Sequence, residues 1–317
     1  MDRRKSPFRK NFEVHLGYLL FKLWAFWVRH LPLESLQSYG DFMGTLALYL
    51  FRKRKRIALN NLHLALGKEK NKEEIERICR ESFKNIGKDI METSYYYGLE
   101  KSYLKMLVKL EGKEHLDHAL REGNGVIGLT AHLGNFPLMA IRIVNEGYPL
   151  SLLARDPENP KVAKMITSYR DEVGMESIPD KPRTTCVSRC LKALKGNRIL
   201  LLQIDQNAPA TECWVDFFGY LVPTFKGPVI FSLRTGAPII PMFIIRNPDS
   251  LQITIHPPFK LNTTGDTLQD ITSNIARLTK IVEATIREYP EQWWWIHRRF
   301  KRARDPKTGE RIFHKHL

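Results

Sequence analysis

VIGLTA at residues 126–131 runs without a break into HLGNFP at 132–137, and LMAIRIVN follows to Asn145. A short apolar run that ends in a glycine-containing turn reads as a buried strand. The segment from Pro137 reads as a helix, because proline suits a first helical turn, where its missing N–H costs little. His132 therefore stands at the carboxyl end of a strand and beside a helix N-terminus. Open α/β sheets place their chemistry there. Gly134 permits the tight turn, and the free N–H groups of such a turn can face an oxyanion or a phosphate. A histidine in this position is either functional or a satisfied structural residue, and its own surroundings leave both open.

The same rhythm continues downstream. PLSLLA (149–154), ILLLQI (199–204), PIIPMFII (238–245) and LQITIH (251–256) read as strands. Helical patterns lie between them at 137–145, 160–172, 185–195 and 226–235, and a last helix is expected at 267–289. This alternation predicts an α/β fold with a mostly parallel central sheet flanked by helices. Upstream, residues 71–96 place Ile75, Ile78, Phe83, Ile86, Ile90 and Met91 on one broad helical face. The stretch from Glu100 to Leu120 continues as a polar helix. Two parts joined without a flexible linker are expected: a helical N-terminal part, 1–120, and an α/β part, 121–317.

Across 317 residues, 43% are hydrophobic, which excludes a disordered chain. Lysine and arginine total 50 against 34 acidic residues, a net charge of +16. That excess calls for an anionic partner: nucleic acid, a phospholipid surface or an acidic protein. Four cysteines exclude a disulfide framework and suit a reducing, cytosol-facing location. Cys186 and Cys190 lack a second pair or nearby histidines, the other histidines show no metal spacing, and no glycine-rich nucleotide loop is present. No metal or cofactor is expected.

Both ends of the chain combine aromatic and basic residues. MDRRKSPFRKN (1–11) holds five basic residues and one acid, and LGYLLFKLWAFWV (16–28) follows. No small-x-small cleavage site comes after it, so it reads as a retained anchor, about 13–51, rather than a removed signal. The run is short of the roughly 20 residues of a clean span. A second run, Phe42 to Phe51, leads into RKRKR (52–56). Basic clusters on both sides favour an interfacial helix or shallow hairpin on the cytoplasmic leaflet. The alternative is a buried N-terminal helix with Lys22 reaching out. At the other end, Trp293, Trp294 and Trp295 precede His297, Arg298, Arg299, Lys301, Arg302 and Arg304. They read as a membrane-facing lip, a stacking platform for single-stranded nucleic acid, or residues that close the core.

TAHLGNFPL (130–138) resembles the histidine block of the bacterial lipid A biosynthesis acyltransferases, the late lauroyl and myristoyl transferases. RIALNNLHLAL (56–66), LLQIDQNA (201–208), VDFFGYLVPTFKGPVIFSLRTGAPIIPMF (215–243) and PEQWWWIHRRFK (290–301) are similar to four further family blocks, in the family's order. The resemblance covers nearly the whole chain. It implies acyl transfer from acyl carrier protein or coenzyme A to a hydroxyl of a membrane glycolipid such as a lipid A precursor, or of a phospholipid. It also implies work at the cytoplasmic face of the inner membrane, with no nucleic-acid partner and no cofactor. His132 would be the general base, and N–H groups near Gly134 and Asn135 would stabilise the oxyanion.

The sequence departs from the family at one position. The family carries an acid five residues after the histidine, and here that residue is Pro137. An alcohol is a weak nucleophile, so a base must take its proton, and a carboxylate must hold the imidazole in the right tautomer. Proline does neither. Asp205, at the end of ILLLQI, is the favoured substitute, because strand ends of one parallel sheet open on the same crevice. Asp156 and Asp216 are weaker candidates. Arg155, Arg170 and Lys226 are expected to bind acceptor phosphates or the donor's phosphopantetheine, and Arg183 and Arg234 are read as helix-face charges. The alternatives are a lipid-binding protein of this fold that has lost catalysis and, more remotely, a basic nucleic-acid binder.

Overall fold

Strand runs rich in Leu, Ile and Val pair because each is short, buried on both faces and bounded by turns. The computed structural model describes residues 7–96, 101–155, 157, 159–248 and 250–312, with side chains from residue 12 and, after the first gap, from 104. The N-terminal helices are α1 (Pro7–Arg29), α2 (Leu36–Leu50), α3 (Arg52–Leu66), α4 (Lys72–Tyr96) and α5 (Lys101–Leu107). Then come β1 (Val108–Glu111), α6 (Lys113–Arg121), β2 (Val126–Thr130), α7 (Phe136–Asn145), β3 (Leu150–Ala154), α8 (Pro160–Glu172), β4 (Met175–Pro179), α9 (Arg183–Lys195) and β5 (Ile199–Gln203). A hairpin of β6 (Cys213–Phe217) and β7 (Tyr220–Thr224) leads to α10 (Gly227–Thr235), β8 (Ile239–Arg246), β9 (Leu251–Ile255) and α11 (Thr267–Glu288).

Among the described residues the main sheet has seven strands in the order β1-β9-β8-β2-β5-β3-β4. All neighbours are parallel except β8 and β9. This is the expected mostly parallel sheet. Alternate residues serve its two faces. Ile127, Leu129, Leu200, Leu202 and Phe243 join a core with α3, α4, α9, α10 and α11. Val126, Ile199, Leu201, Ile240 and Met242 join a second core with α6 and α7.

The stretch from Glu100 to Leu120 is not one helix. Residues 97–100 lie outside the described residues, and the remainder divides into α5, β1 and α6. Val108–Glu111 pairs with β9 at the sheet edge, so strand pairing overrides local helical preference. The sheet thus begins at Val108, ahead of residue 121. Strand β4 and the β6–β7 hairpin escape sequence reading, because MESIP and CWVDF mix polar with apolar residues.

Gly40 and Gly44 on α2 meet Gly87 on α4 so closely that a Cβ on any of them would strike backbone of the opposite helix. That seam fixes α2 against α4. It leaves Phe42, Leu46, Tyr49, Leu50 and Phe51 exposed, as are Leu16, Leu19, Leu20, Leu23, Phe26 and Trp27 on α1. Trp24 faces inward and donates to Ser94 Oγ at 3.2 Å. No helix among the described residues is long and apolar enough to cross a membrane.

Candidate active site

Strands β2 and β5 are neighbours with Thr130 opposite Gln203. Two residues further along each, the same register sets His132 level with Asp205. Asp205 Oδ1 lies 2.9 Å from His132 Nδ1, and Oδ2 accepts the His132 backbone N–H at 2.8 Å. Trp293 Nε1 donates to the same Oδ2 at 2.8 Å. An ionised carboxylate only accepts hydrogen bonds, so Nδ1 carries a hydrogen, and in the neutral ring the lone pair is therefore on Nε2. Burial pushes the Asp205 pKa up, but the His132 charge and the hydrogen bonds from His132 and Trp293 outweigh it and hold the value at about 2. The His132 side chain stays 14% exposed against 1% for Asp205, so the imidazole is reachable and its partner is not.

The turn that carries His132 is clamped from two further sides. Gly134 has φ +56°, and a Cβ there would run into the Ile244 carbonyl, so the position demands glycine. The segment after α11 crosses the turn: Gly134 N–H donates to Gln292 O at 2.9 Å, and Trp294 N–H donates to His132 O at 3.0 Å. Asn135 is wholly buried and caps α7 by accepting from Leu138 N–H. It also accepts from Thr93 Oγ1 and donates to Glu92 Oε2 on α4. Glu92 and Asp89 in turn hold Arg246, whose Nη2 lies 2.7 Å from each. Burial raises Asp89 to about 7 with help from Glu92, against the lowering effect of Arg246. Of the groups expected to face an oxyanion, the Gly134 N–H is engaged by Gln292 O, and the Asn135 side chain is committed to α4 and α7.

Two residues in the quoted blocks, given no role from sequence, complete the site. Gln206 Nε2 lies 2.7 Å from His132 Nε2 and 3.2 Å from His297 Nε2. Burial, then the charge of His132, pushes His297 down to about 4, so it is neutral at physiological pH. Its ring stacks on Trp294 at 5.9 Å. Arg299 is fully buried beside Phe217 and donates to Gln206 O, Pro223 O and Thr224 Oγ1. Trp293 and Trp295 are also buried. Of the three readings of the tryptophan run, core closure holds for these two, and neither offers the open ring face that a lip or stacking platform needs.

A histidine paired with a buried carboxylate at a sheet's carboxyl end, on this block order, matches the family resemblance, and the comparison is direct. Residues 6–302 match the sequence profile of the bacterial lipid A biosynthesis acyltransferases. The chain belongs to that family. It is 25% identical to the lipid A biosynthesis lauroyltransferase of Escherichia coli K12 over 88% of this chain and 89% of that one. A lipid A biosynthesis acyltransferase of Haemophilus influenzae is 27% identical over 97% and 98% of the two chains. A phosphatidylinositol mannoside acyltransferase of Mycolicibacterium smegmatis is 24% identical over 57% and 58%. The protein is thus an acyl-transferring enzyme.

Within this acyltransferase the expected phosphate-binding cations are dispersed. Arg155 follows β3 at the same sheet end as His132, is 78% exposed at its side chain and pairs with Asp180 at 2.6 Å. Arg170 on α8 faces Ser177 Oγ at 3.4 Å. Lys226 precedes α10, with its N–H on Glu212 and its Nζ near Thr211 O. Arg183 also binds Glu212. Asp216 is tied to Lys280 on α11, which gives it a surface partner in place of the histidine. Asp156 lies outside the described residues. Asp205 was legible from strand-end logic. Asp89, Glu92 and Arg246 were not, because nothing local in sequence marks residues that meet only across the fold.

Proposed function

We propose that this enzyme moves a fatty acyl group from a thioester, on acyl carrier protein or coenzyme A, to a hydroxyl of an anionic membrane glycolipid of the lipid A precursor type. The observation that carries this reading is the His132–Asp205 pair at 2.9 Å, in which Nδ1 faces the buried carboxylate and the ring stays partly exposed. His132 Nε2 takes the hydroxyl proton as oxygen attacks the thioester carbon. Asp205 holds the tautomer and stabilises the imidazolium that forms. The proton then passes to the leaving sulfur. The resident acid at Asp205 favours an active enzyme over a lipid-binding relic, since the tautomer is fixed without help from position 137.

The reaction is proposed to occur at the cytoplasmic face of the inner membrane. Exposed apolar side chains of α1 and α2 adjoin exposed Arg52, Lys53, Arg54 and Arg56 at the start of α3. Apolar insertion beside basic residues suits an anionic interface, and the same positive charge suits an acidic carrier protein. Arg155 is the cation proposed for the acceptor phosphate. Lipid mass spectrometry of cells with wild-type protein, His132→Ala protein or none tests this reading. One glycolipid should gain an acyl chain with wild type only. An unchanged glycolipid profile, or full acylation by folded His132→Ala protein, refutes it.

A further inference from the structure

We propose that Gln206 is a catalytic residue of the transfer: its side-chain amide donates the hydrogen bond that stabilises the thioester carbonyl oxygen as that oxygen becomes negative. The inference rests on the acyl-transfer reading above and adds a residue to it. Attack on a thioester moves the carbonyl π pair onto oxygen, and a donor aimed at that oxygen is usually the largest single aid to such a step. The obvious donor, Gly134 N–H, is occupied by Gln292 O at 2.9 Å. The donor that does face the reactive nitrogen is Gln206, with Nε2 at 2.7 Å from His132 Nε2.

The amide orientation follows from its neighbours. Asp205 takes the Nδ1 hydrogen, so His132 Nε2 presents a lone pair. His297, kept neutral by burial, presents Nε2 to the same amide at 3.2 Å. The His132 lone pair faces the NH₂ group, which an amide oxygen turned the other way would oppose, and a neutral His297 can accept the second N–H. Arg299 grips the Gln206 main-chain carbonyl at 2.8 Å, so the backbone is fixed and the side-chain torsions are the free variables.

In the resting enzyme Gln206 occupies the lone pair that the acceptor hydroxyl needs. The hydroxyl replaces it, and one N–H is released beside the point of attack. The acceptor oxygen bonds to the thioester carbon, and its proton goes to His132 Nε2. The π pair goes to the carbonyl oxygen, which accepts from Gln206. Collapse restores C=O and breaks C–S, and His132 returns the proton to sulfur. Every electron pair is accounted for without another reactant.

The test uses full-length protein in detergent, radiolabelled dodecanoyl and hexadecenoyl thioesters of acyl carrier protein and of coenzyme A, and a bacterial polar lipid extract as acceptor. Gln206→Met keeps bulk and removes both donors; Gln206→Glu keeps shape and replaces the donor by an acceptor. Each should lower kcat by about 10²- to 10³-fold with KM for the donor little changed, the pattern of an interaction made in the transition state. The Gln206→Glu loss should persist wherever that carboxyl is ionised, since only a protonated carboxyl can donate. Thermal melts identify a misfolded variant, and either variant alone decides the matter. If Gln206 only caps the base, Gln206→Met frees Nε2 and kcat holds or rises, which overturns the proposal while acyl transfer stands. Absence of turnover in wild type with every donor overturns the acyl-transfer reading and this inference with it.

Discussion

Asp205→Asn is the substitution that most directly tests how the base is held. Asp205 Oδ2 accepts two N–H groups, from the His132 main chain and Trp293, and Oδ1 faces His132 Nδ1. An asparagine has one acceptor and one donor for these places. Two donors against one settle its orientation: the amide oxygen takes the Oδ2 place and the NH₂ faces Nδ1. Nδ1 must then lose its hydrogen, and Nε2 carries it. The imidazole is in the wrong tautomer to accept a proton from the acceptor, and a loss of about 10³- to 10⁴-fold in kcat is expected. The carboxylate also contributes to stability. Its folded pKa of about 2, against 3.8 for an ordinary aspartate, corresponds to about 2 kcal/mol. The folded value is depressed, so this contribution is present above about pH 4 and is lost as pH falls towards 2. Wild type and variant should differ in denaturant stability by that amount at pH 7, and the gap should close in acid. Nitrogen-15 NMR of the ring reads the tautomer. A folded Asp205→Asn enzyme with kcat within about tenfold of wild type and Nδ1 still protonated would falsify the orienting role.

Pro137→Glu restores the family's acid in an otherwise intact site; because Asp205 already fills Nδ1, kcat should stay within several-fold of wild type, and a large gain would show that Asp205 is not the working acid. Asp89, raised to about 7, is a group whose folded pKa exceeds its unfolded value, so it erodes stability as pH rises from about 4 to 7. Asp89→Asn should therefore be neutral or stabilising at pH 8 in urea titrations, whereas Arg246→Met leaves buried acids unpaired and should cost about 3–5 kcal/mol; equal destabilisation by both would refute the assignment. Leu20→Asp with Phe42→Asp places charges on the exposed faces of α1 and α2; co-sedimentation with anionic vesicles in high salt should fall sharply while the melt is unchanged, and full retention would rule out that face as the membrane contact.

What could be read in the sequence followed the range of the interactions. The buried strands announced themselves as apolar runs, and His132 and Asp205 followed, since residues after neighbouring parallel strands must meet at one edge. Strand β1 did not, because VKLE is unremarkable alone and becomes a strand only where β9 offers its edge. The Gln292, Trp293 and Trp294 clamp was visible as a family block but not as a clamp. Its contacts reach the histidine turn across 158 or more residues (Gly134 to Gln292), where no local pattern can register them. The cation roles were hardest. A basic residue near a strand end carries no mark of whether a carboxylate awaits it, as Asp180 does Arg155 and Glu212 does Arg183.

The position of the orienting acid has a structural consequence. An acid five residues after the histidine would lie on the first turn of α7, so the imidazole's orientation would depend on how that helix seats. Asp205 comes instead from the end of β5, and its place relative to His132 is set by the Thr130–Gln203 register of two central strands. A register cannot drift by less than a residue without moving every side chain along the strand. Trp293 and the His132 main-chain N–H then fix the carboxylate itself. Freed from that task, residue 137 can be proline, which stiffens the start of α7 behind the Asn135 cap. The His132 ring is thereby held on its Nδ1 side. On its Nε2 side the neighbours are side chains, Gln206 and beyond it His297, and these can rearrange as donor and acceptor enter.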